Sequence, residues 1–321
     1  MSCWLVTGGA GYIGSHVVMS LIASGRDVVI YDDFSAGLDR RVPDGVPVIR
    51  ADVHDRAALV GAFADFDVDG VVHLAAKKAA GESVDIPLYY YRENVDGLIT
   101  LLEAMQDAGV SHLVYSSSAA VYGTPESNPV VEESYLRPES PYGESKVVGE
   151  WLARDCGVAW GLSWVALRYF NVAGAGSDAL GDSSVNNLIP MVFQALDRGE
   201  RPRIFGEDYP TPDGTCIRDY VHVVDLAEAH VSAAAACEEG GSATAYNVGR
   251  GVGSSVREVM DMVSEVLGHD IAPEVVDRRP GDPDATFAST GRIAADLGWR
   301  ASRDLREMVT SAWSAWRATS H

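Results

Sequence analysis

A short apolar run at residues 4–7 leads into "GGAGYIGS" at residues 8–15, and helical spacing follows from 15 to 23. Few local patterns restrict a fold as tightly. The glycines read as Gly9-x-Gly11-x-x-Gly14 and, in a second frame, as Gly8-x-x-Gly11-x-x-Gly14. Between a strand and a helix, glycine permits a sharp turn and lets a pyrophosphate approach the backbone. The helix N-terminus then offers N–H donors and the positive end of its dipole. Eighteen residues past Gly14, Asp32 closes a second apolar run at 28–32. A carboxylate there accepts from both hydroxyls of an adenosine ribose and repels a 2′-phosphate, which argues for NAD over NADP.

The same alternation continues down the first half. Further apolar runs at 46–51, 68–75, 112–117 and 163–168 are separated by helical patterns near 56–65, 92–108 and 142–155. Strands alternating with helices imply right-handed βαβ units and a parallel sheet covered on both faces. Near-continuous apolar strands agree with that burial. The expected class is α/β, a Rossmann-type doubly wound parallel sheet. After about residue 172 the pattern turns irregular, with helices expected near 188–198, 255–268 and 304–317 and a strand-like start followed by a helix at 221–236. Residues 1–172 are therefore expected to form an NAD-binding domain, with a segment near 219–250 packing back on it. Residues 173–321 are expected to form a smaller α+β substrate-binding region.

Composition narrows the partners. Hydrophobic residues make up 47% of 321 residues, enough for a sizeable core, and the formal charge is −21. Such a surface repels nucleic acid and anionic membrane, so any anionic ligand must be held by local cations and helix ends. The four cysteines, Cys3, Cys156, Cys216 and Cys237, lack CxxC or zinc spacing and read as free thiols of a reducing compartment. No metal site is expected. The opening residues lack the pattern of a signal peptide, no apolar run is long enough to span a bilayer, and the cytoplasm is the expected location.

"SPYGESKVVGE" at 140–150 sets Tyr142 and Lys146 four apart on one helix face, with Pro141 in the first turn. A random Tyr-x-x-x-Lys would be a surface pair. Here "VYSSSAAVYG" (114–123) brings Ser116, Ser117 and Ser118 to the carboxyl edge of the sheet, and "RYFNVAGA" (168–175) brings Tyr169, Phe170 and Asn171 to the same edge. Ligands bind at that edge in open α/β sheets. A phenol titrates near pH ~10, so use as a base near neutrality costs roughly 4 kcal/mol. One cation at ~5 Å contributes about 3 kcal/mol at an effective dielectric of ~20. Lys146 together with a positive nicotinamide could supply the difference, with Ser118 sharing the substrate proton.

The stretches "TGGAGYIGS", "KAAGES", "SSSAAVYG", "PYGESK", "RYFNVAGA" and "YPTPDGTCIRDYVHV" resemble the UDP-galactose 4-epimerases, extended members of the short-chain dehydrogenase/reductase superfamily. The likeness runs from Leu5 to "LGWRASRDLREM", and the "YPTPDGTCIRDYVHV" block is far more specific than the glycine pattern. It implies NAD-dependent epimerisation at C4 of a UDP-hexose through a transient 4-keto sugar. Tyr142 would take the 4-hydroxyl proton, Lys146 would hold the nicotinamide ribose and lower the Tyr142 pKa, and Ser118 would orient the hydroxyl. The resemblance also assigns cofactor contacts to Gly8, Gly11, Tyr12, Ile13, Gly14, Asp32, Asp33, Asp52, Val53, Leu74, Ala75, Ala76, Lys78, Asn94, Tyr169 and Phe170. Besides Lys78, Ser118 and Tyr142, the nucleotide sugar would meet Asn171, Asn187, Leu188, Arg203, Phe205, Arg218, Arg279, Asp282 and Thr286. Arginine forks suit phosphate oxygens. A homodimer through the helices near 92–108 and 142–155 is implied as well.

Three departures stand out. Ala120 replaces a threonine of many relatives, Lys77 adds a cation beside Lys78, and Thr286 matches a position that is a bulky tyrosine in some relatives. A small residue there leaves room for a 2-N-acetyl group, so N-acetylated or otherwise modified hexoses join UDP-glucose and UDP-galactose as candidate substrates. Rival readings are an epimerase of a UDP-uronate or a dTDP-sugar, a 4,6-dehydratase and a non-catalytic NAD sensor. The dehydratase needs an acid and a base where this chain has Ala119 and Ala120. A sensor need not keep Tyr142, Lys146 and Ser118 together.

Overall fold

The structure is a computed structural model that describes residues 2–240, 243–279 and 281–319. The strands in chain order are β1 (Cys3–Thr7), β2 (Asp27–Tyr31), β3 (Val48–Ile49), β4 (Gly70–His73), β5 (His112–Ser116), β6 (Ser163–Tyr169) and β7 (Asn171–Ala173). There follow β8 (Arg203–Phe205), β9 (Ile217–His222), β10 (Ala243–Val248), β11 (Gly253–Ser255), β12 (Glu274–Val276) and β13 (Ala285–Thr286). Seven of them form one sheet in the order β10-β6-β5-β4-β1-β2-β3, with every neighbouring pair parallel. This is the doubly wound sheet expected from the strand–helix alternation.

Strand alternation divides the core. Trp4, Val6 and Ile30 point to one face and meet Val17 and Leu21 of the Tyr12–Ala23 helix and Leu226 of the Val223–Glu238 helix. Leu5 and Val29 point to the other face and meet Leu59, Leu98 and Leu101 of the Arg56–Phe66 and Gly97–Ala108 helices. Residues one apart on a strand serve opposite faces, so a strand buried on both sides must be apolar throughout. β1 is buried at all five positions for that reason.

The chain winds from β1 outward to β3 and then returns to β4 on the other side of β1. The ends of β1 and β4 thus form a switch point, and a crevice opens beyond their carboxyl ends. The remaining strands build the second region. β9 pairs with β11, β13 and β7, and β8 pairs with β12. The Leu188–Asp197, Val256–Leu267 and Leu305–Thr319 helices close over them around Phe193, Met260, Val263 and Met308.

Several boundaries differ from the sequence reading. The first helix opens at Tyr12 rather than 15, since Gly11 serves as its N-cap. The third strand shrinks to Val48–Ile49 because only Ile30 and Tyr31 of β2 pair with it. The pattern at 92–108 begins as one wide turn, Arg92–Asp96, continuous with the Pro87–Tyr91 helix before it. β10, the outer strand beside β6, was not anticipated as a strand; its partner lies some eighty residues earlier in the chain.

Candidate active site

The glycine turn builds the first wall. Gly8 has φ +71° and passes the end of β4 so closely that a Cβ there would lie 2.9 Å from Ala75 N. A Cβ on Gly14 would lie 2.0 Å from Gly8 O, so the helix can start against the strand only with glycine there. No side chain caps the Tyr12–Ala23 helix. Its first N–H groups are left for an anion. At the end of β2, Asp32 is buried and accepts from Ala10 N at 2.9 Å and Phe34 N at 2.8 Å. Burial raises its pKa, and the two N–H donors pull it back.

Gly8, Gly11, Tyr12, Ile13, Gly14, Asp32, Asp33, Asp52, Val53, Leu74, Ala75, Ala76, Lys77, Lys78, Tyr142, Lys146 and Tyr169 all line one cavity of about 230 Å³. A dinucleotide fits these residues: uncapped helical N–H groups for its diphosphate, a side-chain-free cradle beside them and a carboxylate at the end of the neighbouring strand for a ribose.

The Pro141–Trp160 helix is started by Ser140, whose Oγ accepts from Gly143 N at 3.2 Å, and by Pro141 at its first position. Tyr142 sits in that first turn, and its backbone N–H donates to Ser83 Oγ at 3.1 Å. One turn on, Lys146 Nζ donates to Ser116 O at 2.9 Å and stands 5.9 Å from the Tyr142 ring centroid. Both residues are buried. Burial lowers the Lys146 pKa to about 8. Burial also raises the Tyr142 phenol, and only the nearby Ser118 hydroxyl draws it back. Lys146 faces the Ser116 carbonyl and the Tyr142 ring, so its charge lies close to the phenol.

Four of the anticipated residues stand behind these walls. Asn94 joins the Lys77 backbone to the Pro141–Trp160 helix: its Oδ1 accepts from Lys77 N at 2.8 Å and its Nδ2 donates to Ser145 Oγ at 3.0 Å. Phe170 packs with Val121, Tyr122 and Val147. Ser118 caps the short turn Ala119–Tyr122 by accepting from Ala120 N at 3.1 Å. Thr286, on β13 opposite Arg218, is buried with no partner for its Oγ1.

A second cavity, about 180 Å³, gathers Asn171, Asn187, Leu188, Arg203, Phe205, Arg218, Arg279 and Asp282 from five separate segments. Arg279 stacks its guanidinium 3.8 Å from the Phe205 ring centroid. Arg218 is aimed by a 2.8 Å bond to Pro283 O and lies 3.6 Å from Asp282 Oδ1. Cations beside an aromatic face suit a nucleotide's phosphates and base. The two cavities share neighbouring residues: Tyr169 lines the first and Asn171 the second, and Ser184 lines the first and Asn187 the second.

Sequence reasoning did not select Arg41, Glu93, Asp182, Ser183 and Ser184 of the first cavity, nor Cys216, Tyr220 and Val256 of the second. Asp182, Ser183 and Ser184 lie in the polar, glycine-rich stretch "GAGSDALGDSSVNN", where nothing local tells which side chains reach a ligand.

Residues 4–249 match the model of the NAD dependent epimerase/dehydratase family. A UDP-glucose 4-epimerase of Azospirillum brasilense is 46% identical over 317 residues, covering 97% of this chain and 91% of that protein. The crystal structure of UDP-glucose-4-epimerase from Stenotrophomonas maltophila, with bound NAD and formylated UDP-arabinopyranose, superposes with a TM-score of 0.95 at 39% identity, over 100% of this chain and 99% of that one. The UDP-glucose 4-epimerase of Brucella ovis, in complex with NAD, gives 0.94 at 39% identity over 97% of each chain. With the glycine turn, the Tyr142–Lys146 pair and the arginine-lined second cavity on one sheet edge, the chain belongs to the UDP-glucose 4-epimerase family, within the NAD dependent epimerase/dehydratases.

Proposed function

We propose that this chain interconverts UDP-glucose and UDP-galactose by NAD-dependent epimerisation at C4, passing through a 4-keto sugar. The observation that carries this is the step at the end of β6. Tyr169 lines the cavity that holds Tyr142 and Lys146, and Asn171, two residues on, lines the cavity of the arginines. A nucleotide sugar gripped in the second cavity therefore reaches the phenol in the first.

NAD, when bound, would supply reversible hydride acceptance for the sugar C4. Tyr142 takes the proton of the sugar 4-hydroxyl and gives it back. Ser118, within influence of the phenol, orients that hydroxyl. Lys146 holds the cofactor ribose and keeps a cation 5.9 Å from the phenol ring. The first helical N–H groups and Lys78 hold the dinucleotide diphosphate. Asn171, Asn187, Leu188, Arg203, Phe205, Arg218, Arg279 and Asp282 hold the nucleotide. Asn94 positions the catalytic helix through Ser145. Ala119 and Ala120 offer no acid or base for water elimination, which favours epimerisation over 4,6-dehydration.

In this reading residues 1–172, with the segment near 219–250 packing back on them, bind NAD, and 173–321 bind the nucleotide sugar. The chain works as a homodimer in the cytoplasm. Exposed Ile99, Trp151 and Val158 on the Gly97–Ala108 and Pro141–Trp160 helices support self-association, and four free thiols support a reducing compartment. Among the described residues no helix is long and apolar enough to cross a membrane.

The test is conversion of UDP-galactose by the purified protein without added NAD. Tyr142→Phe is expected to lower kcat by roughly 10²–10⁴-fold with the nucleotide affinity kept. Unchanged turnover in that variant would remove Tyr142 from the chemistry.

A further inference from the structure

We propose that Arg41 is a further cofactor-holding residue, donating to the diphosphate of the bound dinucleotide and tying it to the loop at residues 181–187. Arg41 ends the short turn Asp39–Arg41 after β2. That segment is docked on the glycine turn by Leu38 N donating to Ala10 O at 3.0 Å. Arg41 as a residue is 3% exposed, yet its guanidinium carries five N–H donors. Among the described residues only Nη2 has protein acceptors, Gly181 O at 2.5 Å and Ser183 Oγ at 3.1 Å. Nε is buried with no acceptor. Arg41 forms no ion pair among the described residues; Asp182 acts on it only from a distance.

A buried cation with unused donors is costly unless something else completes it. Arg41 lines the same cavity as Gly11, Tyr12, Ile13 and Lys78. Its charge acts on both Tyr12 and His16 at the start of the first helix. With its segment docked on Ala10 of the glycine turn, Arg41 stands beside the start of that helix. The chemistry that uses spare guanidinium donors beside uncapped helical N–H groups is a diphosphate. The loop it grips continues into the second cavity: Asp182 Oδ2 accepts from Asn187 Nδ2 at 3.2 Å, and Asn187 lines that cavity. Arg41 thus joins the cofactor to the segment that meets the nucleotide sugar.

This inference rests on the NAD reading above. The experiment first measures NAD carried by the purified protein and its release rate, then titrates stripped, reloadable protein with ADP and with adenosine. Arg41→Met is expected to release NAD roughly tenfold to a hundredfold faster and to weaken ADP by a similar factor, while changing adenosine binding less than about twofold. Arg41→Lys, which keeps the charge but not the fork, is expected to fall between and decides the matter if the methionine variant does not fold. Wild-type release rates in both variants overturn the proposal. So does equal weakening of ADP and adenosine, which marks a general loosening of the loop. If the unaltered protein neither carries nor binds NAD, the cofactor reading itself fails.

Discussion

Burial raises the Tyr142 phenol and the Ser118 hydroxyl draws it back. The Lys146 ammonium, held by the Ser116 carbonyl, stands 5.9 Å from the ring, so in the proposed reaction it adds to whatever charge the ligands bring. Thr286 raises a different question at the same scale. It is buried beside Arg218 with an unsatisfied hydroxyl and does not line either cavity. If its small size sets the room around C2 of the sugar, Thr286→Tyr is expected to lower kcat/KM for UDP-N-acetylglucosamine at least tenfold relative to UDP-glucose. An unchanged ratio of the two would show that neighbouring side chains already fill that space. The residue types and spacing of Tyr142, Lys146 and Asp32 were legible in the sequence because each belongs to a local pattern. Arg41 was not, since its meaning comes from contacts 140 and 142 positions away.

The elements carry the site through a buried ion pair. Glu150, two turns along the helix from Tyr142, takes Arg168 of β6 by Nε at 2.8 Å and Nη2 at 2.5 Å, and Ser117 Oγ donates to it at 2.5 Å. Arg168 also donates to Tyr122 OH at 2.9 Å, and the side chains of both partners are less than a tenth exposed. One carboxylate thus fixes the catalytic helix, the serine-bearing end of β5 and the tyrosine-bearing end of β6 relative to one another. Glu150→Ala leaves a buried guanidinium unpaired and is expected to cost roughly 3–5 kcal/mol, read from the urea unfolding midpoint. A loss below about 1 kcal/mol would mean that Arg168 finds water or another partner. Strand and helix identity was readable here from apolar runs and periodicity, whereas β10 was not. Its six residues become a strand only by pairing with β6, and a short run with two polar side chains gives little local signal. The loop between β7 and the Leu188–Asp197 helix is similar: its glycines announce a loop, and tertiary folding alone brings Asp182, Ser183 and Ser184 to the cofactor cavity.

At the scale of the whole molecule, four histidines among the described residues are buried neutral. Burial lowers His16, His222 and His230 to about 4 and His73 to about 3. An unfolded histidine titrates near ~6.5, so between there and about pH 4 the unfolded chain binds protons that the folded chain does not. Stability must therefore fall as pH drops through that window, by roughly 2 kcal/mol per histidine at pH 5. Asp219, raised to about 6 by burial, works the other way and offsets part of one histidine. Lower pH also relieves repulsion in a chain of formal charge −21, so melting is best followed at high salt, where that repulsion is screened. Under those conditions Tm is expected to fall steadily from pH 7 to pH 5; a flat profile would mean that the histidines titrate near their ordinary values. The acidic total was plain in the sequence, but which histidines are sealed from water depended on the fold.

The central claim is that the hydride removed from C4 is the one returned to it within a single binding event. UDP-galactose deuterated at C4, incubated in ordinary water with the purified protein and no added NAD, tests this most directly by proton NMR of the products. UDP-glucose that retains deuterium at C4 is the predicted result. Loss of the label to solvent, or a product lacking the elements of water, would contradict it.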